Sequence, residues 1–341
     1  MSRGVPGLRQ VLSRRPSLLR LPELAPLSAH HFPTLGEGAT PLIPAEGLAV
    51  ELDIPHLLIK DEAQNPSQSW ESRGVAMAIA RARELGIGKV FIRSAGDSAL
   101  AAACYASLNG LDLKVAVPEE SDPWLLDQLR EQGAEISTLP WAALEQPDDS
   151  LSSTGPDGWL DITELSEPAR LEGAKTIGFE LIYDLQRVPD VMLIPTASGV
   201  GLIAIAKAFD EMEAAGWIGS TRPQLIAIQS SQFCPLVEAF RKNRSELAPW
   251  TRKSRTEIRE LRPASPQLAS LALTALRDSR GAAIAIEDRD SKEGRALLAR
   301  RLGLGASLST GACVAAARSL RQRGTIARDH LVVLISPSSG P

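Results

Sequence analysis

The sequence predicts an α/β protein of two doubly wound lobes with mostly parallel sheets. Two observations carry this. From residue 40 onward short apolar runs alternate with helical patterns. After the fourth run a Pro, Gly, Ser and Asp rich stretch, Gln146–Gly158, interrupts the rhythm as a loop between lobes does.

The elements follow in order, strands as brief apolar runs and helices as longer periodic segments. Strand His56–Lys60 leads to helix Arg73–Leu85, Lys89–Arg93 to Ser98–Asn109, and Leu113–Val117 to Trp124–Gln132; Ala134–Thr138 closes the first series. Helix Gly173–Asp184 opens the second. Strand Val191–Pro195 leads to helix Gly201–Ala215, Gln224–Ile228 to Pro266–Ser279, Ala282–Ile286 to Lys292–Arg301, and helix Gly311–Gln322 returns to strand Leu331–Ile335. A second break, Asn243–Pro263, is dense in charge and reads as a solvated segment or, more sharply, an active-site lid.

Composition narrows the function. At 341 residues, 44% hydrophobic and 23% charged, the chain is an ordinary globular sequence. No stretch approaches the ~20 apolar residues of a spanning helix, so no membrane is expected. A net charge of −4 with interspersed signs offers no basic face, so no nucleic acid is expected either. Cys104, Cys234 and Cys313 lie far apart, which speaks for a reducing, cytoplasmic setting and against a cysteine-based zinc site; no metal is expected. His30 and His31 read as loop residues. The first twenty residues carry Arg3, Arg9, Arg14, Arg15 and Arg20 and no acid, which reads as a flexible basic arm.

In parallel sheets ligands collect beyond the carboxyl ends of strands, where helix N-termini present free N–H groups. Three turns have that character: Ser94-Ala-Gly-Asp-Ser98, Thr196-Ala-Ser-Gly-Val-Gly201 and Ser336-Pro-Ser-Ser-Gly340. Gly199-Val-Gly201 before a helix is a plausible anion cradle. No GxGxxG, GxSxG or P-loop pattern occurs.

Several longer motifs stand in register: Leu35-Gly-Glu-Gly-Ala-Thr-Pro-Leu42, Ile59-Lys-Asp-Glu-Ala-Gln-Asn-Pro-Ser-Gln-Ser-Trp-Glu-Ser-Arg-Gly74, Ser94 to Ser98, Arg170-Leu-Glu-Gly-Ala-Lys-Thr176, and Pro195 to Ile203. With Lys207 to Met212 and Gly216 to Gly219, they make the chain resemble threonine synthase and, more widely, the fold type II pyridoxal phosphate (PLP) enzymes. The resemblance runs from about residue 20 to 340. It implies the fold type II architecture, with a large lobe of residues 1–72 and 147–341, a small inserted lobe of residues 73–146, and a homodimer.

The resemblance also implies departures at the chemistry. The family's PLP-binding lysine falls on Glu71, and a carboxylate forms no Schiff base. The asparagine beside the PLP ring falls on Asp97, and the glutamate of a Pro-Glu-Gly motif on Thr310. Ala197 and Val200 enter the phosphate cradle, where added Cβ atoms are expected to penalise left-handed backbone. The substrate loop becomes Thr256-Glu-Ile-Arg-Glu260. Ser339 aligns with the residue that meets the pyridine nitrogen, and Gly199 and Gly201 persist.

The expectation is therefore a threonine synthase-like protein without a cofactor. Glu71 and Asp97 would work as paired acid and base on a small anionic metabolite, as a lyase, cyclase, isomerase or hydrolase. Ser69, Ser94, Gly96, Ser98, Ser198, Gly199, Val200, Gly201, Thr310 and Ser339 would bind the ligand. One alternative is a non-catalytic pseudoenzyme in which Glu71 pairs with Arg73 or a lysine. The other is PLP chemistry with the cofactor held non-covalently or through another of the eight lysines, such as Lys60, Lys175 or Lys207. Glu37 and Arg73 read as fold-forming contacts, and Cys104 and Cys313 as small core residues.

Overall fold

The computed structural model describes residues 4–27, 34–141, 158–250, 256–262 and 268–340. His30, His31, most of the Gln146–Gly158 stretch, Pro266 and part of the Asn243–Pro263 segment lie outside them. The fold is α/β with mostly parallel sheets, as the alternation predicts.

The chain divides into two compact units, Met1–Ala39 with Asn65–Thr176, and Thr40–Gln64 with Ile177–Pro341. This differs from the expected small lobe of residues 73–146. The physical reason lies in two elements beyond residue 146: strand β6 (Trp159–Asp161) pairs with β3 (Lys89–Arg93), and helix α6 (Ala169–Ala174) packs on α3 (Glu71–Glu84).

The first unit holds a four-stranded parallel sheet in the order β5-β4-β3-β6, with β4 at Asp112–Pro118 and β5 at Glu135–Leu139. Helices α3 and α4 (Asp97–Asn109) press alanine-rich faces on Val90, Ile92, Val115 and Val117. Alanine gives both strong helix propensity and small bulk. Gly110 ends α4 in the left-handed conformation at φ 61°, and the Asp122 side chain caps α5 (Pro123–Glu131) by accepting from the Trp124 N–H at 3.0 Å.

The expected flexible arm carries a helix from Leu8 and a buried residue. Helix α1 (Leu8–Leu12) buries Val11, and Leu18 joins the core of this unit. Arg20 donates to the carbonyls of Val11 and Leu12, and Arg14 pairs with Glu23, so these arginines staple a turn instead of seeking solvent.

The second unit holds a six-stranded sheet in the order β1-β2-β10-β7-β8-β9: Leu42–Pro44, His56–Asp61, Leu331–Ser336, Val191–Pro195, Gln224–Ser230 and Ala282–Ile286. Only β1 runs antiparallel to its neighbour. Every residue of β7 is buried, as in a sheet covered on both faces. Seven helices belong to it among the described residues: α2 (Glu46–Leu52), α7 (Thr176–Leu185), α8 (Val200–Ala214), α9 (Pro235–Arg241), α10 (Ala269–Asp278) and, before β10, the pair α11 (Asp288–Leu302) and α12 (Leu308–Gln322). The final strand returns to the middle, beside β7, so the turns after β7 and β10 emerge at one edge of this sheet. That is where a switch in strand order opens a ligand crevice.

Candidate functional site

In the first unit the site is built on three helix starts. Ser69 is buried and its hydroxyl accepts from the Glu71 N–H at 3.2 Å, fixing the first residue of α3. Strand β3 runs through the turn of Ser94 and Gly96 into α4, with the Ser94 hydroxyl accepting from the Gly96 N–H at 3.3 Å. Asp97 opens α4, where a negative charge meets the positive end of the helix dipole.

The Glu71 carboxylate has two partners. Arg170 of α6 donates from Nη2 to Oε2, and the Ser98 hydroxyl donates to the same oxygen at 2.5 Å. Arg170 Nη2 also donates to Ser98 Oγ at 2.8 Å, closing a three-membered ring. The expected pairing of Glu71 with Arg73 or a lysine is thus corrected. Arg73 is buried and donates to the Thr176 hydroxyl at 2.8 Å, the fold-forming role the sequence suggests. The link from position 71 to the start of α4 runs through Ser98, the residue after Asp97.

Two glycines make this meeting possible. A Cβ at Gly173 would fall 2.1 Å from the Arg73 carbonyl oxygen, and one at Gly74 would fall 3.0 Å from the Arg170 carbonyl oxygen. Only glycine lets α3 and α6 approach so closely, and that approach delivers Arg170 to Glu71. Arg170 is the partner of Glu71 that the sequence does not announce, since nothing local to either residue signals the pair.

Glu167, just before α6, accepts from the Ala169 N–H at 2.9 Å and pairs with Arg81. Burial raises its carboxyl above the ordinary range, more than the Ala169 N–H and the Arg81 and Arg170 charges lower it. Glu37 accepts from the buried Tyr105 hydroxyl at 2.5 Å, and burial, followed by the Glu37 charge, pushes that phenol up.

In the second unit the cradle follows β7. Thr196 donates to the Ile194 carbonyl at 2.8 Å, and the buried Gln229 ties the Thr196 carbonyl to the start of α9. Gly199 caps α8 at φ 94°, with a Cβ there only 3.2 Å from Ala272 Cβ. It is the one cradle residue with positive φ, so Ala197 and Val200 take their side chains without the expected penalty. Ser198 Oγ accepts from the Val200 N–H at 3.3 Å. Among the described residues the N–H groups of Ala197, Ser198 and Gly199 meet no acceptor.

Next to the cradle strand, β10 ends in a cluster of hydroxyls. Ser307 caps α12, and its hydroxyl meets Ser309 at 2.7 Å and Thr310 at 3.2 Å; Thr310 meets Ser336 at 3.1 Å. The Thr310 hydroxyl is therefore held inside a buried network. Ser307 was not among the expected residues, although a serine before an apolar helix is a capping signal, and Ser336 entered only as the start of a turn. Ser339 lies part-exposed beyond β10, its hydroxyl 3.4 Å from the Gly340 carbonyl.

The lysines considered for recruitment are engaged. Lys60 is buried against Glu180 at 2.7 Å, Lys175 meets Glu172 at 2.5 Å, and Lys207 meets Glu211 at 2.8 Å. Burial pushes the Cys104 and Cys313 thiols up, which suits packing and not nucleophilic work. Thr256, in the expected substrate loop, donates to Asp288 at 2.7 Å, and the Glu257 N–H donates to the same carboxylate. Among the described residues no group of three His, Cys, Asp or Glu side chains is placed to hold a metal ion, and no helix is long and apolar enough to cross a membrane.

Residues 33–338 match the family model described as pyridoxal-phosphate dependent enzyme. The chain is 32% identical over 309 residues to a threonine synthase of Methanocaldococcus jannaschii, covering 90% of this chain and 76% of that protein. It is 31% identical over 326 residues to a threonine synthase of Methanosarcina acetivorans, covering 94% and 79%. In structure it resembles the processed form of threonine deaminase isoform 2 from Solanum lycopersicum at a TM-score of 0.76 and 16% identity, covering 100% and 92%.

These matches overturn the expectation that no cofactor is used: they point to pyridoxal phosphate. The residues present fit its phosphate end, which would meet three unengaged N–H groups, the positive end of α8 and a glycine that leaves room for close approach. At position 71, where the resemblance places the binding lysine, a carboxylate stands.

Proposed function

The chain belongs to the pyridoxal-phosphate dependent enzyme family, and we propose that it is a threonine synthase-like member that holds its phosphate-bearing cofactor without a covalent link to the protein. Glu71 carries this reading. Its carboxylate is committed to Arg170 and Ser98, and Lys60, Lys175 and Lys207 are each engaged by a carboxylate. Bound pyridoxal phosphate supplies an electron sink. This chain's own part is to grip the phosphate with the N–H groups of Ala197, Ser198 and Gly199.

Equilibrium dialysis with pyridoxal phosphate tests the grip. Saturable binding that inorganic phosphate competes away, and that Gly199→Asp abolishes by placing a charge in the cradle, is the expected result. No saturable binding contradicts the proposal.

A second reading gives Glu71 acid/base work, with Asp97, on a small anionic metabolite. The observation in its favour is that Oε2 takes both partners while Oε1 has none among the described residues, on a side chain 18% exposed. If Glu71→Gln and Asp97→Asn each leave a demonstrated activity intact, this reading fails, and a ligand-binding pseudoenzyme remains. We also propose a homodimer, which light scattering tests by returning twice the chain mass or the chain mass alone.

A further inference from the structure

Arg170 is an unusual charge. Its side chain is 2% exposed, it points from the short α6, and its main chain is pinned where the Gly74 backbone packs against it. Nη1 donates to the Ile162 carbonyl at 3.1 Å, while Nε is buried and meets no acceptor among the described residues. A guanidinium so placed has no route to water, and a buried cation without a counter-ion is among the costliest defects in a folded chain.

The counter-ion is supplied by a side chain that begins another helix. Glu71 Oε2 takes the Nη2 donor and the Ser98 hydroxyl, at the positive end of the thirteen-residue α4. Apart from Glu71 and the Asp97 carboxylate that shares the helix start, the arrangement is a receptor: a fixed guanidinium, a hydroxyl donor and a helix start, each favouring an oxyanion.

We propose that Arg170, Ser98 and the first turn of α4 form a carboxylate-binding site whose resident ligand is the chain's own Glu71, so that shortening side chain 71 opens the site to a small external carboxylate. In the native chain the tethered carboxylate outcompetes free ones, because its effective concentration at the site is far above that of a solute. The site is independent of the phosphate cradle, which lies on other residues, so its failure leaves the proposed function standing.

The test is chemical rescue. In Glu71→Ala the thermal midpoint is measured against increasing formate, acetate or chloride at constant pH and ionic strength. Formate and acetate should raise it with saturation on the order of 10 mM, the weak affinity that three or four heavy atoms provide. Chloride should not match them, and the native protein should show no specific carboxylate effect. Glu71→Gln is the control for folding: its amide fills the space, so formate should leave its midpoint unchanged. If the Glu71→Ala midpoint rises by the same amount in formate and in chloride, or rises in neither, or if Glu71→Gln responds as strongly as Glu71→Ala, the proposal is overturned.

Discussion

Two strand-turn-helix junctions in this molecule begin alike and end differently. At the start of α4, in the first unit, a buried arginine, a serine hydroxyl and Glu71 neutralise one another within the protein. At the start of α8, in the second unit, Ala197, Ser198 and Gly199 present N–H groups that no acceptor meets among the described residues. Both starts carry the positive end of a helix dipole. One has been filled from inside and the other left for an anion from outside, and the difference rests on side chains that the helix geometry alone does not specify.

The largest effects should come from the internally filled junction. Arg170→Met strands the Glu71 carboxylate beside an apolar chain and should lower the unfolding free energy by about 3 kcal/mol, read from urea denaturation. Gly173→Ala drives a Cβ to 2.1 Å from the Arg73 carbonyl oxygen, and separating α3 from α6 should cost about 2–3 kcal/mol by the same measurement. A loss under about 0.5 kcal/mol in either variant would mean that the ring and the crossing are not what fixes this junction.

The open junction should respond more in binding than in stability. Gly199→Ala puts a side chain at φ 94° and against Ala272, which should cost about 1–2 kcal/mol and weaken phosphate binding together. Calorimetry with inorganic phosphate separates the two: unchanged affinity would remove Gly199 from the cradle.

Acidity separates the two junctions further, because a buried acid with a raised value neighbours the first. Burial holds the Glu167 carboxyl above its ordinary range. The native state then keeps a proton that the unfolded chain releases. The stability this gives is fully present below the ordinary glutamate pKa of about 4.3 and is lost as pH rises through the raised value. Glu167→Gln should flatten that decline in a series of denaturation curves; a variant with the same pH slope would refute it. The smallest effect belongs to Lys207→Met on α8. Its half-exposed pair with Glu211 should contribute about 0.3–0.5 kcal/mol.

Much of this architecture is legible in the sequence, for reasons that also mark where legibility stops. Val191–Pro195, Lys89–Arg93 and Ala282–Ile286 read as strands with the ends they have in the structure, because apolar runs bounded by turn residues announce themselves. Leu42–Pro44 and Trp159–Asp161 are three residues each, too short for any period, and the second of them carries the unit boundary past residue 146. The arm misled because five arginines suggest solvent, whereas the carbonyls of Val11 and Leu12 use one of them. Glu71 itself is conspicuous in the sequence. Its partner is 99 residues away and depends on how closely two glycines let helices cross, which no local pattern records.

The central claim, a family member that grips a phosphate-bearing cofactor with no covalent bond to it, comes down to one mass. The protein is saturated with pyridoxal phosphate, reduced with borohydride, denatured and weighed intact. The expected result is the mass of the unmodified chain after saturable binding. A chain heavier by one reduced pyridoxyl-phosphate group, mapped to a single lysine, would contradict it.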